Sequence, residues 1–193
     1  MARLSAARKE LRLASESLAA LRVATDHQKL DECWIKVLHN VERCWNKVRA
    51  AMKHNTKWNG WIERGRIEGM RTRDPLLAYL HQARDAEEHG LADITVKKPG
   101  GLGINPANPG PLYIESLVIR NGRIELTSPQ PLRITVTPAT IALSPVVNRN
   151  VTYAVPTMHE GSPLAGTDPI TVATAGIAFY SRTLDLIEQE FPG

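Results

Sequence analysis

Cysteine is scarce in this chain, aromatic residues make up only 5% of it, and long hydrophobic runs are missing. The two cysteines, Cys33 and Cys44, fall in one helical pattern, and at about 1.5 Å per residue they lie roughly 16 Å apart. No intramolecular disulfide spans that gap. Histidines at ligand spacing are missing around them, and no other cluster of His, Cys and carboxylates has such spacing, so neither a metal nor a cofactor is expected. No apolar stretch approaches the roughly 18 to 20 residues of a membrane span. The opening MARLSAARKELRLASESLAAL lacks the apolar block of a secretion signal. A cytoplasmic protein with no membrane partner is the expectation.

What is present is ordinary for a globular chain: 193 residues, 42% apolar and 23% charged, enough for one domain or two small ones. The net charge of +4 is modest but unevenly placed. From Arg43 to Arg73 there are nine Lys or Arg against Glu63 and Glu68 alone, a local excess of +7. Trp45, Trp58 and Trp61 fall in the same stretch. Cations interleaved with flat rings suit phosphate contacts and base stacking, which makes Lys53, Lys57, Trp58, Trp61 and Arg64 the candidate RNA-binding residues. The competing reading is a solvated helix face over core tryptophans, because Trp45 continues an apolar stripe.

Leu4, Ala7, Leu11, Ala14, Leu18 and Leu21 recur at helical spacing, and Leu30, Trp34, Val37, Val41, Trp45, Val48 and Met52 repeat the period. Two long antiparallel helices are predicted, the second opened by a capping box of Thr25 and Gln28. Residues 54 to 73 show no sustained period and read as an irregular basic connection with room for one helical turn. A further helix starts sharply at Asp74 and Pro75, carries Leu76, Leu77 and Leu80 inward, and stops at Gly90, leaving His89 in its last turn. PGGLGINPANPGP, 99 to 111, reads as a loop. LYIESLVIRNGRIELT alternates around Asn121 and Gly122 as a hairpin. Short strands are expected near 132 to 137, 139 to 143 and 151 to 155, and a helix over 171 to 191. The predicted class is α+β: an N-terminal antiparallel helical bundle over 1 to 92, then a β-rich region with a terminal helix over 93 to 193.

The segment ARDAEEHGL, 83 to 91, places Arg84 five positions before His89. That spacing occurs three times, as Arg22 with His27, Arg49 with His54, and Arg84 with His89, so spacing alone decides nothing. Context separates them: Arg84 is followed by Asp85, and His89 by Gly90. Arg, a polar residue, three others, His and then Gly resembles the signature of the HEPN superfamily of helical-bundle ribonucleases and nucleotide-binding proteins. The long helices leading into the motif-bearing helix are also similar, over residues 1 to 92. The sequence shows no separate helix of the kind that usually completes such a bundle.

The resemblance implies Arg84 and His89 as catalytic residues, with Asp85 at the polar position between them. It implies a metal-independent endoribonuclease acting as a homodimer on RNA, in a toxin or phage-defence setting, with an antitoxin or other protein as a further partner. The tyrosine that can follow the histidine in antitoxin-partnered members is missing from HGLAD. The chemistry is coherent by itself. Cleavage without metal needs a base, an acid and fixed positive charge on the phosphate. Histidine supplies the first two roles and arginine the third. Asp85, four residues before His89, is expected to orient the imidazole, and a two-fold dimer would bring a second histidine. The alternative is a non-catalytic bundle binding RNA, nucleotide or a protein partner, with His89 placed by the helix dipole and Arg84 paired to Glu88. His81 is expected in solvent, Tyr79 in packing, and His159 in a loop.

Overall fold

The computed structural model describes residues 4–90, 93–121 and 123–192. It is an α+β protein, with helices at both ends of the described chain and antiparallel strand pairs between. Helix α1, Ser5–Val23, turns the predicted stripe inward: Leu4, Ala7, Leu11, Ala14, Leu18 and Leu21 are all buried. Helix α2, His27–Met52, returns along it and buries Leu30, Trp34, Val37, Val41, Trp45, Val48 and Met52. Its cap is Asp26 rather than Thr25, because the Asp26 carboxylate accepts from the Lys29 amide at 2.8 Å.

The connection at 54 to 73 is not irregular. It forms α3, Thr56–Gly60, and α4, Ile62–Arg73. Only Ile67 of α4 is buried, so no apolar stripe announces the helix. Charge pairs one turn apart, Arg64 with Glu68 at 3.2 Å and Arg66 with Glu63 at 3.5 Å, support it locally. Helix α5, Pro75–Glu88, begins as expected, with Asp74 accepting from the Leu76 and Leu77 amides at 3.1 Å. His89 sits just past its end, and Gly90, at φ +59°, supplies the left-handed residue that closes it.

Helix α6, Pro169–Glu190, packs on α1, α2 and α5 and adds a long helix to the bundle that the N-terminal residues begin. Gly176 makes the approach to α5 close, since a Cβ there would stand 2.5 Å from Leu80 Cδ1. Between α5 and α6, β1, Thr95–Lys98, pairs antiparallel with the strand Thr140–Leu143.

The contacts divide the chain differently from a 92/93 boundary. One unit is Met1–Lys98 with Thr140–Gly193, and the other is Pro99–Ala139. The terminal helix therefore belongs with the N-terminal helices, because its buried face, including Val172, Phe179, Tyr180, Leu184 and Ile187, shares their core. The second unit consists of β2, Gly101–Pro106, paired with β5, Leu132–Thr137, and of β3, Ser116–Arg120, paired with β4, Arg123–Thr127. The Thr140–Leu143 strand is then β6. Strand β2 lies where a loop was predicted, since its glycines hide the alternation of Leu102, Ile104 and Pro106. The hairpin over 116 to 127 forms as expected, with Asn121 at φ +50°, while Gly122 of its predicted pivot lies outside the described residues. In the first unit, β7, Val146–Asn148, and β8, Val151–Tyr153, form a tight hairpin. It turns on Arg149 and Asn150, both at positive φ, as a two-residue turn matching strand twist requires. Two short strands, β9, Met158–His159, and β10, Ser162–Pro163, complete it.

Candidate functional site

The end of α5 carries the Arg84, Asp85 and His89 constellation. Arg84 Nη1 lies 3.0 Å from Asp85 Oδ1 and 2.5 Å from Glu88 Oε2, so two carboxylates neutralise the guanidinium. Its Nε is buried without a hydrogen-bond partner. The His89 side chain is exposed, and no hydrogen bond or ion pair holds it among the described residues. The expectation that Asp85 orients His89 is corrected here. Asp85 binds Arg84, and its other oxygen stands 3.9 Å from His81 Nε2, one turn back along the helix.

His81 is likewise not directed to open solvent. Its Nδ1 is 3.0 Å from Glu42 Oε2 on α2, which also accepts from Arg71 Nη2 of α4 at 2.6 Å. Arg71 Nε in turn donates to the Tyr180 hydroxyl of α6 at 2.8 Å, and its guanidinium lies 5.2 Å from the centre of the Trp45 ring. Burial would raise the Glu42 pKa, but the hydrogen bond from His81 and the Arg71 charge outweigh it and hold the carboxyl down to about 2. Burial pushes the Tyr180 phenol up to about 12. Three helices thus meet at one buried carboxylate, and Arg71 ties a fourth to it through Tyr180. Two further histidines are paired: His39 Nε2 with Glu87 Oε2 at 2.8 Å, and His159 Nδ1 with Asp74 Oδ1 at 2.9 Å. His159 is a buried residue at the start of α5, the opposite end from Arg84 and His89.

The basic stretch resolves into two layers. Trp58 is 2% exposed, and its ring packs against Trp45, Trp61 and Phe191 at centroid distances of 6.4, 5.5 and 5.9 Å. Trp61 meets Phe191 edge-on at 5.3 Å. Trp58 is buried, so the base-stacking role expected for it is replaced by packing, while Trp61 is half-buried against it and Phe191. The cations remain outside. Lys53 and Arg64 line a pocket of about 360 Å³ together with Asn46, Arg49, Ala50, Asn59 and Trp58. Lys57 is exposed but is not part of this lining. Arg64 is positioned by Asn59 Oδ1 at 2.9 Å and by Glu68.

Asn46, Arg49 and Asn59 were not among the residues expected to bind. The signal for the first two was legible, because Asn46, Arg49 and Lys53 follow one another at helical spacing. From 33 to 61 the chain has six cations, Lys36, Arg43, Lys47, Arg49, Lys53 and Lys57, all exposed, and its one carboxylate is the buried Glu42. Among the described residues only Arg43 of these six has a carboxylate partner, Glu10 at 3.4 Å. No group of three or more His, Cys, Asp or Glu side chains is placed to hold a metal ion among the described residues. No family model, curated protein or solved structure matches this chain.

Proposed function

We propose that the protein binds RNA through its phosphate backbone, along the exposed face of α2 and the pocket of Arg49, Lys53 and Arg64. One observation carries this reading: six exposed cations between residues 33 and 61 have no exposed carboxylate among them in sequence. Such a surface attracts a polyanion by displacing its counterions. Because Trp58 is buried and Trp61 is half-buried against it, phosphate contacts dominate, and binding should be strongly salt-dependent with little sequence preference. Cys33 and Cys44 are free and buried, which fits a reducing cytoplasm where RNA is at hand.

Cleavage of the bound RNA is a second reading, consistent with the HEPN-like motif. The observation in its favour is His81, an imidazole oriented by Glu42 on the same helix as Arg84. His81 and His89 flank Arg84 in sequence, the first oriented by Glu42 and the second exposed.

Both readings are separated by one titration of labelled single-stranded RNA in EDTA, read by anisotropy and by gel. If about four cations engage, the logarithm of the affinity falls with the logarithm of salt at a slope of about −3. Arg49→Ala with Lys53→Ala should flatten that slope by about 1.4. An affinity indifferent to salt, or unchanged in this double variant, overturns the binding site. Shortened RNA that disappears in both Arg84→Ala and His89→Ala supports cleavage, and intact RNA with wild-type protein removes it.

A further inference from the structure

The unit Pro99–Ala139 contains no buried residue among those described. Residues directly opposite one another in an antiparallel pair share a face, and alternate positions change face. On one face of the β2–β5 ribbon stand Leu102 opposite Val136, Ile104 opposite Ile134, and Pro106 opposite Leu132. Its other face carries Gly101 with Thr137, Gly103 with Thr135, and Asn105 with Arg133. The β3–β4 ribbon repeats the division. Leu117 opposite Leu126 and Ile119 opposite Ile124 form one face, while Ser116, Thr127, Val118, Glu125, Arg120 and Arg123 form the other. Each ribbon therefore has a wholly apolar face, and these faces are open: Val136 is 72%, Ile119 68% and Ile134 54% exposed.

We propose that these apolar ribbon faces are the contact surface for a second copy of this chain, packed face to face across a two-fold axis. A two-stranded ribbon without a covered face is marginally stable in water. Its cover must be present whenever the ribbon forms, and a second copy meets that condition at any concentration that supports dimerisation. The exposed area is a substantial part of what a dimer needs. On the ribbons Leu102, Leu117, Ile119, Ile124, Ile134 and Val136 are each 40% exposed or more. At about 100 Å² per fully buried side chain they present on the order of 300 Å² of apolar surface. A standard interface takes about 800 Å² per partner, of which about 65% is apolar in homodimers, so the ribbons alone supply more than half of that share.

Charge argues against other covers. Arg120, Arg123 and Arg133 all lie on the faces opposite the apolar ones, so they would point away from an anionic lipid surface that the apolar residues entered. The apolar faces carry no ionised group that would select a charged partner. Pro106 ends β2 and Pro131 and Pro138 bracket β5, which discourages addition of strands at the edge. Packing on the face, with sheets about 10 Å apart, is left as the way to bury these residues. This proposal is independent of RNA binding, because none of Arg49, Lys53 and Arg64 belongs to the ribbons.

Sedimentation of the full chain between about 1 and 100 μM tests it, with mass action setting the dimer fraction. Twice the 21.3 kDa chain mass is expected for the wild type. Ile119→Lys with Val136→Lys should weaken dimerisation at least about a hundredfold, since each lysine would enter an apolar interface uncompensated. Thr135→Lys, on the opposite face of β5, should leave it unchanged, and far-ultraviolet circular dichroism should show full helicity in every variant. A monomeric wild type overturns the proposal, whatever else covers the ribbons, including a different protein or a lipid vesicle. So does a dimer that survives Ile119→Lys with Val136→Lys, or one lost equally in Thr135→Lys.

Discussion

Glu42 shows how one side chain can organise several helices. Its Oε2 serves both Arg71 and His81, and the Glu42 and Arg71 side chains are only 10% and 11% exposed. Removing one partner of such a pair strands the other charge, so Glu42→Gln should cost about 3 kcal/mol in urea unfolding at neutral pH. The pH dependence follows from the direction of the shift. The folded carboxyl is held down to about 2 from the 4.5 of the free group. Its contribution is therefore complete above the unfolded value and is lost as pH falls toward the folded one. The stability gap between wild type and Glu42→Gln should shrink through that acid window, and a gap constant down to the lower value would disprove the linkage. Little of this was legible in sequence, where Glu42 interrupts an apolar stripe without naming its partners. Arg84 is the opposite case: its pairing with Glu88 follows from spacing on one helix, and the structure bears it out.

At the scale of elements, α5 is anchored at its start more firmly than at its end. Asp74 caps the Leu76 and Leu77 amides, accepts the Glu160 amide at 2.8 Å, and binds His159. Burial would raise its pKa, but these hydrogen bonds outweigh that effect and lower it. Asp74→Ala should destabilise the fold by about 3 kcal/mol, combining a lost cap with a buried imidazole left unpaired. Asp74→Asn, which keeps the cap, should recover part of that loss in the same thermal-unfolding series. The cap was readable because Asp–Pro before an apolar run is a local signal. The tie to His159 joins residues 85 positions apart, which no local pattern contains. Helix α4 was unreadable for a different reason: short charge pairs support it, and it presents only one buried side chain.

For the whole molecule, the absence of buried residues among those described in the ribbon unit makes a direct prediction. Lys98 and Thr140 are cross-strand partners, so a two-residue Asn–Gly turn can close β1 onto β6 in place of residues 99 to 139. That deletion should keep its helical circular dichroism and unfold within a few degrees of the parent, since every described core residue lies outside it. It should also be monomeric at concentrations where the parent is paired. Loss of helicity on deletion would show that the helices depend on the ribbons. The order and approximate spans of the long helices, their inward faces, the 116 to 127 hairpin and the excess of positive charge were determined by sequence alone. These are local properties of periodicity, capping and composition. Only tertiary structure decided that Trp58 and Trp61 pack inward while the cations around them stay out. It alone also assigned the terminal helix to the N-terminal core, and brought Glu42, Arg71, His81 and Tyr180 together from four helices. Periodicity says which face of an element is apolar, whereas contact between faces depends on residues far apart along the chain meeting in one close-packed interior.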